Sequence, residues 1–166
     1  VNIGREKSII DVRSFIETFS LKLSAYFGED ILKINCRNFR GLSVTTIVDE
    51  ITAVLFECCY FIIKNKDDRK LTVYLESQKG AASFVFKLDK AFLEYRRIFE
   101  KIFDGFEESY ELIEEDEFFN VKITISNKKK QVKTLFVASD EDDIRWNFYA
   151  KRSVEKIDEW IEQFNQ

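Results

Sequence analysis

"GLSVTTIVDEITAVLFECCYFII", Gly41 to Ile63, is the stretch on which the fold turns. Val44, Ile47, Val48, Ile51, Val54, Leu55, Cys58, Cys59, Ile62 and Ile63 fall on one stripe at helical spacing. This spacing predicts a helix over 44–63, with Ser43 or Thr45 as N-cap. Phe56, Tyr60 and Phe61 widen the apolar surface to most of the circumference, so the helix is expected to be central, covered by a sheet on one side and a helix on the other. Cys58 and Cys59 lie on the stripe, where cysteine behaves as a small hydrophobe, and no cation is in view to make either a thiolate. With Cys36 distant and no histidine in the sequence, the cysteines do not match zinc spacing.

Outward from this helix the pattern alternates between helical and strand periods. Ile9, Val12, Ile16, Phe19, Leu23 and Phe27 predict an N-terminal helix over 6–27, stopped at Gly28. "DILKINCRNF", from Asp30, alternates poorly and is read as a strand. Leu71, Val73 and Leu75 alternate with Thr72, Tyr74 and Glu76, and "SQKGA" turns the chain back, which predicts a hairpin over 71–88. A helix over 90–105 follows Asp89, with Phe92, Phe99, Ile102 and Phe103 inward, and then a strand meander over 109–138. Residues 144–150, "IRWNFYA", fit a strand or a helix, and from Ser153 the chain is helical to 164. The expected architecture is a single α+β domain over 1–166. Its mainly antiparallel sheet, of about five to seven strands, packs against the central helix and further amphipathic helices in two or three layers.

The totals narrow the function. The chain has 166 residues, enough for one domain without disulfide or metal staples, and is 45% apolar and 34% charged. It contains no histidine, which removes every mechanism that relies on imidazole. It has no methionine, and so reads as a trimmed or processed chain. The formal charge of −4 argues against a general nucleic-acid binder. Three cysteines, two adjacent, do not make a disulfide framework, and no apolar run is long enough to span a membrane, so a cytoplasmic location is expected.

Catalytic motifs are lacking. Glu76-x-Gln78 has no partner aspartate and no lysine for a nuclease motif, and "SDEDD", Ser139 to Asp143, lacks the glycine and glutamate of a calcium loop. The five glycines stand singly, without a phosphate-binding loop. The order of strand, long helix, strand and strand ending in Asp89 is nevertheless similar to the histidine-kinase and anti-sigma type of ATP-binding domain. In that family the helix carries a Glu and an Asn for magnesium, and the second strand leads into an Asp-x-Gly-x-Gly loop. Here the helix offers Glu57 but Phe61 in place of the Asn, and Asp89 is followed by Lys90, Ala91 and Phe92. The resemblance lies in topology, over about 60 residues in this reading of strand and helix periods, and not in motif. It implies a scaffold that has lost nucleotide chemistry.

By elimination the sequence points to a non-catalytic interaction module, a regulator, adaptor or inhibitor that binds another protein and takes no cofactor. Its candidate contacts are Glu107, Glu108, Glu114, Glu115, Asp116 and Glu117 in an acidic segment, together with Arg145 and Trp146. Two alternatives stand beside it. A small-molecule or degenerate nucleotide-binding domain predicts a pocket near Glu57 and Asp89. A nucleic-acid binder would use Arg145, Trp146 and the Lys128 to Lys130 tip. Self-association is left open.

Overall fold

The computed structural model describes residues 6–126, 134–137 and 139–166. In chain order it contains β1 (Lys7–Asp11), α1 (Val12–Phe27), β2 (Leu32–Asn38), β3 (Ser43–Ile47), α2 (Val48–Lys64), β4 (Leu71–Gln78) and β5 (Ala81–Asp89). A 3-10 helix (Lys90–Tyr95), α3 (Arg96–Ile102), β6 (Ser109–Glu114), β7 (Phe118–Ser126) and α4 (Asp140–Phe164) complete it. The fold is α+β. Five strands form the main sheet in the order β2-β4-β5-β7-β6, antiparallel except for the β2–β4 pair, and β1 and β3 form a second, two-stranded antiparallel sheet.

Local chemistry accounts for most of these elements. The β4–β5 hairpin turns on Lys79 and Gly80, both at positive φ (46° and 79°), the conformation that lets a two-residue loop follow the twist of its strands. Helix α1 starts where the Asp11 side chain accepts the Ser14 N–H at 2.9 Å, and stops at Gly28 in the left-handed region with φ 73°. Helix α4 starts on a capping box in which Ser139 and Asp142 satisfy each other's backbone N–H groups.

Alternation buries one face of the sheet. Leu71, Val73 and Leu75 of β4, Phe84, Phe86 and Leu88 of β5, and Phe119, Val121, Ile123 and Ile125 of β7 are all buried in one core with α1, α2 and α3. Helix α2 is the most deeply set element, buried from Val54 through Ile63 without a break. Its Cys58 and Cys59 are fully buried, and burial pushes both thiols well above their ordinary range.

Several boundaries differ from those expected. Residues 7–11 and 43–47, read as the starts of helices 6–27 and 44–63, are instead β1 and β3, paired with each other from Lys7↔Ile47 to Asp11↔Ser43. The reason is visible in Val44-Thr45-Thr46-Ile47, a β-branched run that prefers strand, and the helices therefore begin only at Val12 and Val48. The helix expected over 90–105 divides into the 3-10 segment and the shorter α3. Residues 144–150 are helical. In the expected meander, β6 and β7 pair, while Leu135 runs beside Ile9 in parallel, with Ile9 N–H donating to Thr134 O at 2.8 Å and Phe136 N–H to Ile9 O at 2.9 Å. The Lys128 to Lys130 tip lies outside the described residues.

Candidate functional site

Helix α4 lies along α2 and runs in the same direction, as three polar contacts in ascending order establish. Asp49 meets Arg145 and Tyr149, Glu57 meets Ser153 and Lys156, and Tyr60 meets Asp158. Between the polar contacts the seam is aromatic. Trp146 stands edge-on to Phe19 of α1 (5.6 Å) and to Phe56 of α2 (5.3 Å), so one indole joins three helices.

The first polar cluster sits at the start of α2. Asp49 Oδ1 accepts the Arg145 Nε–H at 3.3 Å and the Tyr149 hydroxyl at 3.1 Å, and Arg145 also bonds Asp142. Desolvation works against the Arg145 charge, but the Asp49 and Asp142 carboxylates outweigh it and hold its pKa above the ordinary value. The Tyr149 phenol is pushed up by burial and then by the Asp49 charge, so it remains a donor.

The second cluster is about 12 Å further along the helix axis. Glu57 is buried, its Oε2 accepts from Ser153 Oγ at 2.9 Å and Lys156 Nζ at 3.1 Å, and Lys156 Nζ also lies 3.0 Å from Oε1. This is the partnership a buried carboxylate on an apolar helix requires, since an unpaired charge there would be prohibitively desolvated. Its partners lie nearly a hundred residues away in sequence. The only advance signal was the carboxylate itself, alone on an apolar stripe.

A cavity of about 250 Å³ opens beside the first cluster, between α1, the first turn of α2, the start of α4 and the β1 edge. Phe15, Phe19, Trp146 and Tyr149 form aromatic walls, while Asp11, Asp49, Asp142 and Lys22 bring charge to it. Nothing in the sequence announces this space, because its walls come from five segments, Leu135 and Phe136 forming the fifth.

The residues singled out from sequence are dispersed. Glu57 is covered by α4, and Asp89 is exposed at the end of β5, paired with Phe118; neither lines the cavity. In the acidic segment, the Glu107 N–H donates to Glu50 Oε1 at 2.9 Å, Glu108 is half-buried, and Glu114 ends the edge strand β6 within 3.3 Å of Lys90 Nζ. Glu115, Asp116 and Glu117 form the exposed turn to β7. Arg145 and Trp146 belong to the α2–α4 seam. Trp146 is only 6% exposed, so it is a core residue and presents no open face to a protein or a nucleic acid.

Among the described residues no group of three or more His, Cys, Asp or Glu side chains is placed to hold a metal ion, and no helix is long and apolar enough to cross a membrane. No protein-family model matches the sequence. No curated protein matches it either.

Solved structures do match. The histidine kinase domain of the E. coli osmosensor EnvZ superposes with a TM-score of 0.53 at 10% identity, over 80% of this chain and 96% of that one. The ATP-binding domain of PrrB from Mycobacterium tuberculosis gives 0.56 at 3% identity, over 74% and 98%. The Acinetobacter baumannii histidine kinase AdeS gives 0.55 at 11%, over 75% and 69%. At these identities the likeness is one of fold. It overturns the interaction-module reading, which rested on missing motifs. A chain folded like histidine-kinase domains, one of them solved as an ATP-binding domain, fits the nucleotide-binding alternative better.

Proposed function

We propose that this chain is a small-molecule-binding domain on a nucleotide-binding fold, with the phosphate and magnesium chemistry of such folds lost. The observation that carries the proposal is the likeness of fold to the PrrB ATP-binding domain and its histidine-kinase neighbours. The degenerate form of the reading is favoured by Glu57, the carboxylate in the position that holds magnesium in the resembled family. It is already neutralised by Lys156 and lies under α4. Phe61 and the Lys90-Ala91-Phe92 sequence after Asp89 supply neither a metal ligand nor a flexible phosphate loop. With no histidine in the sequence, phosphorylation of a histidine within it is not part of the proposal.

A cytoplasmic location belongs to the same reading. The histidine kinase ThkA was solved in complex with the response regulator TrrA. By analogy of fold, a protein partner beside the small ligand is also part of this proposal.

Calorimetric titration of the full chain with adenosine, ADP and ATP, each with and without magnesium, tests the central claim. Saturable binding of at least one of these or of a related small molecule is expected, with no more than a twofold gain from magnesium. Heats indistinguishable from dilution for every compound at millimolar concentration would remove the proposal. A tenfold or greater gain for ATP on adding magnesium would show intact nucleotide chemistry and overturn its degenerate form.

A further inference from the structure

The face of the main sheet turned away from the helices carries a second cleft. Val73, Phe84, Phe86 and Phe119 are buried in the core, so Thr72, Tyr74, Lys87 and Phe118 point the other way. These four line the cleft with Lys66 and Lys70, from the turn between α2 and β4, around a space of about 380 Å³. The cleft lies at the last turn of α2, whereas β1 and the start of α4 lie at the first, about 24 Å away along the helix axis. Ser126, the far end of β7, is roughly 26 Å from Phe118 at strand rise. Residues 1–5, 127–133 and 138 join the described chain at those distant ends.

The cleft is rich in donors. Lys66 Nζ donates to the Lys70 carbonyl at 2.7 Å, Lys70 Nζ donates to the Asp30 carbonyl, and Lys87 Nζ stands 4.1 Å from the centre of the Phe118 ring. Carbonyls and a ring orient these ammoniums without cancelling their charge, and each ammonium has N–H donors left over. The hydroxyls of Thr72 and Tyr74 line the same space, with no protein hydrogen bond among the described residues. Against these donors stands one carboxylate of the described lining, Asp68, whose Oδ1 accepts the Lys70 N–H at 3.0 Å. The group that complements such a set is a compact, acceptor-rich anion.

The surroundings limit its size. Asp67, Asp89, Asp116 and Glu117 are exposed on the flanking turns and strand end, with Lys33 the exposed cation in register with Thr72. An extended polyanion would have to run from the lysines across these carboxylates, which repel it. A small ligand stays among the lysines. The rings of Tyr74 and Phe118 offer its remainder an apolar surface, in a volume that admits one ring beside a phosphate.

We infer that this cleft binds a small phosphate monoester carried on a ring, its phosphate among Lys66, Lys70 and Lys87 and its ring against Tyr74 and Phe118, without a metal. The inference rests on the reading of the domain as a small-molecule binder, and adds to it a site and a ligand class. Phenyl phosphate, a dianion at pH 7.5, is the probe. Inorganic phosphate supplies the anion alone and phenol the ring alone. Each is titrated at fixed ionic strength into the full chain, followed by amide chemical shifts.

Phenyl phosphate is expected to bind most tightly, shifting Thr72, Tyr74, Lys87 and Phe118, with inorganic phosphate at least threefold weaker and phenol not saturating. Lys66→Gln and Lys87→Gln, both at the surface, are each expected to weaken phenyl phosphate about two- to fivefold. Asp68→Asn keeps the acceptor for the Lys70 N–H while removing the opposing charge, and is expected to strengthen it by a similar factor. Damage to the fold would not produce that change of sign.

Phenyl phosphate binding that ignores all three substitutions, or shifts confined to other residues, would overturn the inference. So would a glycine-flanked phosphotyrosine peptide or an oligothymidylate binding tenfold more tightly than phenyl phosphate, since the occupant would then be a protein or a nucleic acid. If adenosine binds and phenyl phosphate does not, the small-molecule reading stands and this site assignment falls. If no probe and no nucleoside or nucleotide binds, both proposals fall together.

Discussion

The two polar clusters that fasten α4 to α2 use the same parts in different proportions. At Glu57 one carboxylate faces one ammonium and one hydroxyl, so charge is balanced and the contact is closed. At Asp49 two carboxylates share one guanidinium, a phenol also donates, and a cavity stands alongside. The first arrangement holds a helix in place. The second holds a helix beside a cavity.

Neither cluster is expected to dominate the stability of the seam, because buried ion pairs return much of their attraction as desolvation. Phe56 lies between the two clusters, fully buried, edge-on to Trp146 and to Tyr26 of α1 and stacked over Tyr60. Phe56→Ala is expected to destabilise the domain by about 3–5 kcal/mol, more than loss of either cation, as read from urea unfolding. A loss below that of both cation variants would mean that charge, not packing, holds α4 down.

The cations themselves sharpen the contrast. Arg145→Met leaves Asp49 and Asp142 facing each other with side chains only 9% exposed, and is expected to remove about 2–4 kcal/mol. Lys156→Met leaves Glu57 with Ser153. Because Lys156 is 39% exposed and already screened by water, a smaller loss of about 1–2 kcal/mol is expected. Equal losses would erase the distinction between the two clusters.

How much of this could be read in the sequence depends on how far apart the partners are. The β4–β5 hairpin was legible because its alternation and its turn are local. So was the interior of α2, whose stripe is carried entirely by its own residues. The pairing of β1 with β3 was not, because each strand is five residues long and runs straight into a helix whose apolar period it happens to continue. Their β-branched residues signalled strand, yet the partner that makes them one lies more than thirty residues away. The same distance problem hid the site. Arg145 and Trp146 were picked out as surface ingredients, and only the docking of α4 turns them inward. The cavity is defined by β1, α1, α2, α4 and the Leu135–Phe136 segment together, so no single segment could announce it.

The cysteines give the smallest effect and a direct check on whether the seam is as closed as its packing implies. Cys58 and Cys59 are fully buried on α2, and burial pushes both thiols well above their ordinary range, with the Cys59 and Glu57 charges adding to the shift of Cys58. Reaction with a disulfide reagent needs thiolate and access together, and both are denied here. Cys36, on β2, is half-buried. The native chain at pH 8 is therefore expected to release about one equivalent of chromophore quickly, and all three of its cysteines only in denaturant. Raising the pH from 8 to 9.5 should leave Cys58 and Cys59 silent, because their folded-state protons are held beyond that window. Fast reaction of Cys58 or Cys59 in the native protein would require α2 to be uncovered by local opening. That outcome would make the Glu57 cluster a latch that releases and not a fixed clasp.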